Sequence, residues 1–332
     1  MVIEYRLVIE MQPKKRCYEH IAGIVGIKTD IPGFRWGFGR CESPVSEKVF
    51  ENCKIKVYLE AKKDSEVFND IRTDCFTEIF RDFRVNPDSE SLFFEKKVAN
   101  LVNLKFAVSI NGNSVNAVVG KSYLKYVKAK MMYIHSIAYI LFDVVSMLLL
   151  KNGMTTLYCS AARLQNGKNV VFIAPPNTGK SLTVLKLRND FNADIITEDM
   201  AVTDGERIWG APYTNLYRNY NDKSLKNPIQ NAEIPTGKKI DAVSVLQKCK
   251  GSSIEENTDF AKKTVLINRY SLGYYYSPVV RVLDYYYNDY SIEKAQQTEK
   301  ELIEKILNNS KVFFLRDENP MNFASSVCDI SL

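Results

Sequence analysis

The 332-residue sequence predicts an α/β fold with a mixed sheet, preceded by a smaller domain of α+β or mainly β type. One observation is the apolar, β-branched run 170–173, which is typical of a buried strand and is followed, after a turn, by residues with helical spacing. Another is a pair of Asn-Gly dipeptides, at 111–112 and 166–167, each between two strand-like runs as in an antiparallel hairpin. The third is an amphipathic helix over 291–308 that leads into a strand over 311–315.

The turn between the strand at 170–173 and its helix carries the clearest chemical signal. Its residues are Ala174, Pro175, Pro176, Asn177, Thr178, Gly179, Lys180 and Ser181, followed by Leu182. A small residue, four arbitrary residues and Gly-Lys-Ser form the Walker A pattern of a phosphate-binding P-loop. Ala174 stands where the pattern usually has its first glycine, and its methyl group fits there if φ is negative. The N–H groups of such a loop and the positive end of the helix dipole surround one concavity, which a triphosphate fills.

This loop predicts ATP and Mg²⁺ as cofactors, with residues 174–182 binding the nucleotide. Lys180 would reach the β- and γ-phosphates, and the Ser181 hydroxyl would ligate Mg²⁺. A further strand, over 193–197, ends at Glu198 and Asp199. Two carboxylates at that place could hold Mg²⁺ and accept a proton from an attacking hydroxyl. The alternative is that the pair belongs to a solvated acidic loop.

Three segments carry a resemblance to a known family. They are Gly153-Met154-Thr155-Thr156-Leu157-Tyr158-Cys159-Ser160-Ala161-Ala162, the P-loop itself, and Ile196-Thr197-Glu198-Asp199. Together, residues 153–218 resemble the HPr kinase/phosphorylase family, with its relatives among peptide-tailoring kinases and, more distantly, ATP-dependent phosphoenolpyruvate carboxykinase. The resemblance implies a P-loop kinase domain of this type, in which Glu198 is the base and Asp199 lies near the metal.

Tyr158 is a departure from the family pattern, which usually has a histidine in the strand before the P-loop. A phenol with an ordinary pKa of ~10 cannot shuttle protons at neutral pH as an imidazole does. We therefore expect a kinase rather than a reversible phosphorylase. A strand predicted over 157–164 turns back through the hairpin at 166–167 into the P-loop strand. The P-loop strand thereby gains an antiparallel neighbour, which suits this kinase family better than the all-parallel P-loop GTPases.

The chain length suits two domains, which we place at residues 1–125 and 126–332. The first reads as a substrate or regulatory module with several short strands, and the second as the catalytic domain. The apolar stretch 131–150 is long enough to cross a bilayer, but Asp143 lies inside it, at a cost of ~2.5–3.5 kcal/mol in a membrane. It is predicted to be a buried helix that closes at Gly153, with His135 as a packing or surface residue.

Composition limits the partners of the protein. It is 45% hydrophobic and 25% charged, as in soluble globular proteins. The net charge is +6, and the lysines and arginines are scattered among acidic residues, which argues against a nucleic-acid partner. The seven cysteines form no CxxC pair and the chain has two histidines, so a zinc site is not expected. The odd cysteine count, with no signal peptide expected, fits reduced thiols and predicts a cytoplasmic protein. With 131–150 predicted as a buried helix, no membrane span is expected, and an oligomer is possible.

Several further segments have open interpretations. Arg218 is either a clamp on the transferring phosphoryl group or an ordinary surface arginine. The polar loop 221–237 could close over ATP or the acceptor. The tyrosine runs 274–276 and 285–287 line a core edge or an acceptor groove. The aromatic and basic residues 33–40 either pack their rings on the sheet or grip a partner.

The function that the sequence predicts is a cytoplasmic, ATP- and Mg²⁺-dependent kinase. It transfers the γ-phosphate to a hydroxyl, and the resemblance implies Ser of a protein or peptide as the acceptor. The alternatives are a nucleotide-binding regulatory or scaffold protein that lost catalysis with the histidine, and a small-molecule kinase or carboxykinase-like enzyme.

Overall fold

The structure is a computed structural model that describes residues 14–69, 76–80, 83–86, 91–98, 101–128, 136–210, 237–268, 280, 284 and 291–330. Predicted features outside these residues are His135, Arg218, both tyrosine runs, and all but the last residue of the loop 221–237. The described chain is a mixed α/β fold whose sheets combine parallel and antiparallel pairings. The predicted class is confirmed at this level.

The front region forms an eight-stranded sheet in the order β1-β2-β5-β10-β9-β8-β7-β6. The elements from residue 16 to residue 151 are β1 (Arg16–Ile21), β2 (Val25–Thr29), β3 (Arg35–Trp36), β4 (Gly39–Arg40), α1 (Glu47–Glu51), β5 (Ile55–Lys62), β6 (Thr77–Phe80), β7 (Phe83–Asn86), β8 (Ser91–Val98), β9 (Val102–Asn111), β10 (Ser114–Gly120), α2 (Lys121–Lys128) and α3 (Ile137–Lys151). Strands β3 and β4 pair only with each other. Strand β5 buries every second side chain, Ile55, Val57 and Leu59, as the period of a half-buried strand requires. Strands β9 and β10 pair antiparallel across Gly112, whose φ is 57°, so the predicted hairpin at 111–112 is confirmed.

Helix α3 is the buried helix predicted over 131–150, and it begins at Ile137, with Ser136 as its N-cap. Its C-terminal end is a Schellman motif, because the Met154 N–H donates to the Leu149 carbonyl at 2.9 Å and the Gly153 N–H to the Leu150 carbonyl at 3.0 Å. Gly153 has a φ of 68°, which confirms it as the residue that closes the helix. None of the helices in the described part of the chain is both long enough and apolar enough to cross a bilayer.

The largest hydrophobic core joins the front sheet to later parts of the chain. Its members include Ile27, Val57, Phe106, Leu141, Leu148, Met200 and Val202. Helix α3 lies inside this core and contacts strands on both sides of the predicted boundary between residues 125 and 126. The two-domain division stays a prediction, and the two parts share apolar packing.

A six-stranded sheet, in the order β14-β12-β13-β18-β20-β19, carries the P-loop strand near its centre. The remaining elements are β11 (Thr155–Tyr158), β12 (Ser160–Arg163), β13 (Asn169–Ile173), α4 (Lys180–Phe191), β14 (Asp194–Thr197), β15 (Met200–Thr203), β16 (Arg207–Gly210), β17 (Lys238–Lys239), β18 (Ala242–Lys248), β19 (Ser253–Glu256), α5 (Asp259–Asn268), α6 (Ile292–Asn309), β20 (Lys311–Asp317), a 3₁₀ turn (Pro320–Asn322) and α7 (Phe323–Cys328). Strand β13 pairs antiparallel with β12 and parallel with β18. The antiparallel neighbour expected from the hairpin at 166–167 is therefore present.

The prediction of one strand over 157–164 was wrong. The chain forms two strands there, β11 in an antiparallel four-stranded sheet (β11-β15-β16-β17) and β12 in the six-stranded sheet. Cys159, fully buried, is the residue at which the chain changes sheets. Residues Leu157, Cys159 and Ala161 belong to one core between the sheets, so the apolar pattern continues through the change and conceals it.

Gly210 marks a close approach of β16 to β14, the strand that precedes the carboxylate pair. A Cβ atom at residue 210 would lie 1.8 Å from the carbonyl oxygen of Ile196. We expect Gly210→Ala to lower the free energy of unfolding by about 3 kcal/mol, because one strand must move. Gly251→Ala is the control, since Gly251 has a φ of +84° and open space around it, and only the backbone cost of about 1 kcal/mol applies. Urea denaturation compares them, and equal losses would contradict the steric argument.

His20 predicts a pH dependence of stability. It is buried beside Trp36, and burial lowers its pKa to about 4, while a hydrogen bond to the backbone of Phe38 acts in the opposite direction. The unfolded chain takes up this proton near an ordinary pKa of ~6.5 and the folded protein does not until about pH 4, so stability falls as the pH drops through this window. The loss is on the order of 3 kcal/mol. Urea unfolding across this range should show the slope in the wild type and a reduced slope in His20→Gln, and parallel slopes would contradict it.

Candidate functional site

The predicted P-loop leaves β13 at Ala174 and enters α4 at Lys180. Asn177 and Gly179 have left-handed backbone conformations, with φ of 62° and 115°. Ala174 is buried and is not among the residues with positive φ, so its methyl group is accommodated as the sequence predicted. Two left-handed residues within three positions turn the backbone sharply between β13 and α4.

Gly179 is the N-cap residue of α4 and provides no side chain to cap the helix. The first N–H groups of a helix have no partner within the helix, so this end is suited to an anion. A Cβ atom at Gly179 would lie 2.7 Å from Cβ of Pro320, in the 3₁₀ turn. Pro320 therefore packs directly against Gly179, where the loop meets the helix. The Thr183 hydroxyl also holds Gly179 in place, because it donates a hydrogen bond to the Gly179 carbonyl at 2.9 Å.

Lys180 is 5% exposed and lies folded against the loop. Its Nζ donates to the carbonyl oxygens of Ala174, at 2.7 Å, and Pro175, at 3.2 Å. The same ammonium lies 4.2 Å from the ring centroid of Tyr158, within the range of a cation–π contact. Burial lowers the pKa of Lys180, and the nearby charge of Asp199 acts in the opposite direction. The two loop carbonyls and the Tyr158 ring thus hold the buried ammonium in place.

Asp199 and Tyr158 complete the group around this lysine. The Tyr158 hydroxyl donates a hydrogen bond to the Asp199 carboxylate. Burial raises the pKa of Asp199, while the charge of Lys180, this hydrogen bond and the charge of Arg35 lower it. Burial and the negative charges of Asp199 and Glu198 raise the pKa of Tyr158, so the phenol stays protonated at neutral pH. The structure brings the predicted P-loop lysine and the predicted metal ligand together.

Glu198 differs from its neighbour in exposure. It is 1% exposed, whereas Asp199 is half-buried. Its backbone carbonyl accepts a hydrogen bond from the Ser160 hydroxyl, which ties the end of β14 to β12. Its charge acts on both Tyr158 and Lys180. A solvated acidic loop would leave both carboxylates exposed, and this alternative does not describe the pair.

The other predicted loop residues lie at or near the surface. Pro175, Pro176 and Asn177 are exposed, and Thr178, Gly179, Ser181 and Leu182 are half-buried. The Thr178 hydroxyl donates to the Pro175 carbonyl at 2.9 Å, which braces the loop from within. The role predicted for Arg218 stays a prediction, because that residue lies outside the described part of the chain.

The residues present fit a magnesium ion that arrives with a nucleotide. Among the described residues no three His, Cys, Asp or Glu side chains come together as a metal site. Mg²⁺ characteristically binds through one or two carboxylates together with substrate phosphates and water. The Asp199 carboxylate and the Ser181 hydroxyl are oxygen ligands of the kind that Mg²⁺ requires.

Two residues near the site were missed from the sequence. Pro320 had no signal, because its contact with Gly179 joins distant parts of the chain. Arg35 lies in the aromatic and basic segment 33–40, whose sequence is compatible with both ring packing and partner binding. The rings do pack, since Trp36 is 5% exposed and Phe38 1% exposed. The signal that was available for Arg35 was a charged residue between buried aromatic ones.

No known protein-family model matches the sequence. A search among curated proteins gave no match either. The loop, the two carboxylates and the residues around them are therefore the features that bear on function.

Proposed function

We propose that the protein is a Mg²⁺- and ATP-dependent kinase that transfers the γ-phosphate to a hydroxyl group. The observation that carries the proposal is the buried Lys180 ammonium, held by two loop carbonyls at the start of α4 and close to Asp199. A buried lysine at a helix N-terminus, beside an oxygen donor for a hard cation, is the set of groups that a nucleoside triphosphate and its metal need.

The roles of the residues follow from this arrangement. The N–H groups of the loop and of the first turn of α4 bind the phosphates, and Lys180 neutralises charge on the β- and γ-phosphates. Ser181 and Asp199 hold Mg²⁺, which when bound spreads the negative charge of the phosphates. Glu198 accepts the proton of the acceptor hydroxyl while the hydroxyl oxygen forms a bond to the γ-phosphorus. The bond between the γ-phosphorus and the β-phosphate oxygen breaks at the same time, so that ADP leaves.

Access to Glu198 is part of the proposal. Because Glu198 is 1% exposed, an acceptor hydroxyl reaches it only after side chains near it have moved. Catalytic hydrogen bonds often tighten only in the complex with substrate, so the closed geometry is compatible with a base. Binding of the acceptor would then uncover the carboxylate at the moment it is needed.

The strand pairing bears on the type of kinase, and the resemblance bears on its acceptor. An antiparallel β12 and a parallel β18 on the two sides of β13 support a P-loop kinase fold of the HPr kinase and phosphoenolpyruvate carboxykinase type. The resemblance of residues 153–218 supports a serine hydroxyl of a protein or peptide as the acceptor, in the cytoplasm. The front sheet is then the region that binds the acceptor or regulates the kinase.

One observation favours a second candidate, a nucleotide-binding regulatory or scaffold protein. Tyr158 stands where the resembling family has a histidine, and its hydroxyl donates a hydrogen bond to the Asp199 carboxylate. A nucleotide could bind beside this pair without turnover. A kinase working with Tyr158 would run in one direction, because no imidazole is present there to shuttle protons for the reverse reaction.

The experiment that tests the proposal has two stages. Isothermal titration of the folded wild type with Mg·ATP measures binding, and a radiolabelled γ-phosphate follows transfer to proteins and peptides from a cytoplasmic extract. Binding with transfer supports the kinase, whereas binding without transfer supports the scaffold. No binding by the folded protein would overturn both candidates.

A further inference from the structure

Tyr158 lies where the backbone is held from both directions along the chain. It is the last residue of β11 and pairs with Met200, the first residue of β15, in an antiparallel register. The next residue, Cys159, is fully buried, and the hydroxyl of Ser160 donates to the Glu198 carbonyl. The backbone of Tyr158 is therefore fixed beside the turn between β14 and β15, which carries the carboxylate pair.

The polar contacts of the Lys180 ammonium with the described residues are all made to neutral groups. Its Nζ donates to the Ala174 and Pro175 carbonyls at 2.7 and 3.2 Å, and it lies 4.2 Å from the centroid of the Tyr158 ring. No oxygen of the Asp199 carboxylate comes within the 4.0 Å of an ion pair, although its charge acts on the lysine. The ammonium is thus held in place without a contact ion pair.

Neutral partners suit a lysine that must bind phosphate. An ammonium has three N–H donors, and the two loop carbonyls take two of them. Attraction to the negative face of a ring is electrostatic and is not confined to one N–H, so the third donor stays available for a phosphate oxygen. An imidazole at position 158 would be positively charged below its ordinary pKa of ~6.5 and would then repel the ammonium, whereas a phenol is neutral.

We infer that Tyr158 is a positioning residue for phosphate binding, whose ring holds the Lys180 ammonium in place before a nucleotide arrives. The inference rests on the proposed function, and it gives Tyr158 a part in binding that is independent of any proton transfer. Fixing a flexible lysine side chain in advance removes an ordering cost that the nucleotide would otherwise bear. Without the ring, the charge of Asp199 would draw the ammonium into an ion pair that competes with the phosphates.

The test measures affinity for Mg·ATP by isothermal titration at saturating Mg²⁺. Tyr158→Leu, which removes the ring and keeps an apolar side chain, is expected to weaken binding by roughly 5- to 30-fold, as for loss of a cation–π contact shielded from water. Tyr158→Phe keeps the ring face and should restore most of the affinity. Replacement of Tyr158 by a ring-fluorinated phenylalanine keeps nearly the same shape, but fluorine draws electron density from the ring face. Its affinity should fall between those of the Phe and Leu variants.

A double-mutant cycle with Lys180→Met separates positioning of the lysine from a general structural role. If Tyr158 acts through the ammonium, Tyr158→Leu should cause no further loss of affinity once the ammonium is gone. A structural role would give the same fold loss in both backgrounds. Tyr139→Leu controls for the removal of a tyrosine, because Tyr139 is 73% exposed on α3, and it should leave ATP affinity unchanged.

Thermal unfolding of each variant checks the fold, and the Phe and fluorinated variants decide the question if Tyr158→Leu does not fold. The assignment of Tyr158 is overturned, and the proposed function stands, on any of three results. They are wild-type affinity in Tyr158→Leu, equal losses in both backgrounds of the cycle, and equal affinities of the Phe and fluorinated variants. If the folded wild type does not bind Mg·ATP, the proposed function is overturned and Tyr158 loses its role with it.

Discussion

Glu198→Gln is expected to lower turnover by roughly 10²- to 10⁴-fold, the usual contribution of a general base, while ATP affinity is retained. Glutamine has the size of glutamate, so it fits the buried site, and the backbone carbonyl can still accept the hydrogen bond from Ser160. What the variant loses is the ability to take the proton of the acceptor hydroxyl. Transfer of the γ-phosphate to a peptide or protein mixture, together with titration of ATP, separates the two effects.

Asp199→Asn is the companion variant, because it removes the neighbouring carboxylate and keeps its shape. A neutral amide is a poorer ligand for Mg²⁺, so this variant should need more Mg²⁺ and should bind ATP less well. The contrast between the adjacent residues is the informative result. Equal transfer by wild type and Glu198→Gln would remove Glu198 from the mechanism, and ATP binding with no transfer by any form would favour the scaffold.

The second large effect is expected from Lys180→Ala, which should weaken ATP binding by roughly 10- to 100-fold. Two losses combine in this variant. The β- and γ-phosphates lose a cation, and the loop loses the hydrogen bonds from Nζ to the Ala174 and Pro175 carbonyls. Titration with Mg·ATP measures the change. Lys180→Met, which keeps most of the aliphatic stem, separates loss of charge from loss of packing and should be as weak in binding.

Lys186→Ala controls for the removal of a lysine from α4. Its Nζ pairs with Asp190 at 2.7 Å on a partly exposed face of the helix, away from the loop carbonyls. A surface pair of this kind contributes little to stability, so both stability and ATP affinity should be close to those of the wild type. Wild-type affinity in Lys180→Ala would show that the loop does not bind phosphate through this lysine.

Local features of the sequence were the ones that could be predicted. The strand, turn and helix around Lys180 follow from short-range patterns, and so do the hairpins at the Asn-Gly pairs. The N-cap of α6 is another example, since the Ser291 hydroxyl accepts the Lys294 N–H at 3.3 Å as its position before an amphipathic run predicts. Each of these depends on residues a few positions apart, where backbone and side-chain chemistry decide the structure.

The features that escaped prediction depend on which distant segments meet. The change of sheet at Cys159 is invisible in an apolar run, because both halves are buried and only the pairing partners differ. Burial of Glu198, but not of Asp199, depends on how β12, β14 and β16 pack around the end of the strand. The charge of Arg35 acts on Asp199 from a distant part of the sequence, where α3 contacts both β3 and β11. No residue pattern encodes such meetings locally.

The contact between Pro320 and Gly179 bears on how the chain gains its binding site as it folds. Strand β13, which leads into the loop, pairs with β12 through a short hairpin. The other neighbour of β13 is β18, which lies beside β20, and the turn at Pro320 follows β20. Contacts between segments so distant along the chain carry a large loop-closure entropy and are slow to form. A nascent or refolding chain therefore contains the whole loop well before that loop is braced. The proposed affinity for a nucleotide would then appear only after this contact has formed.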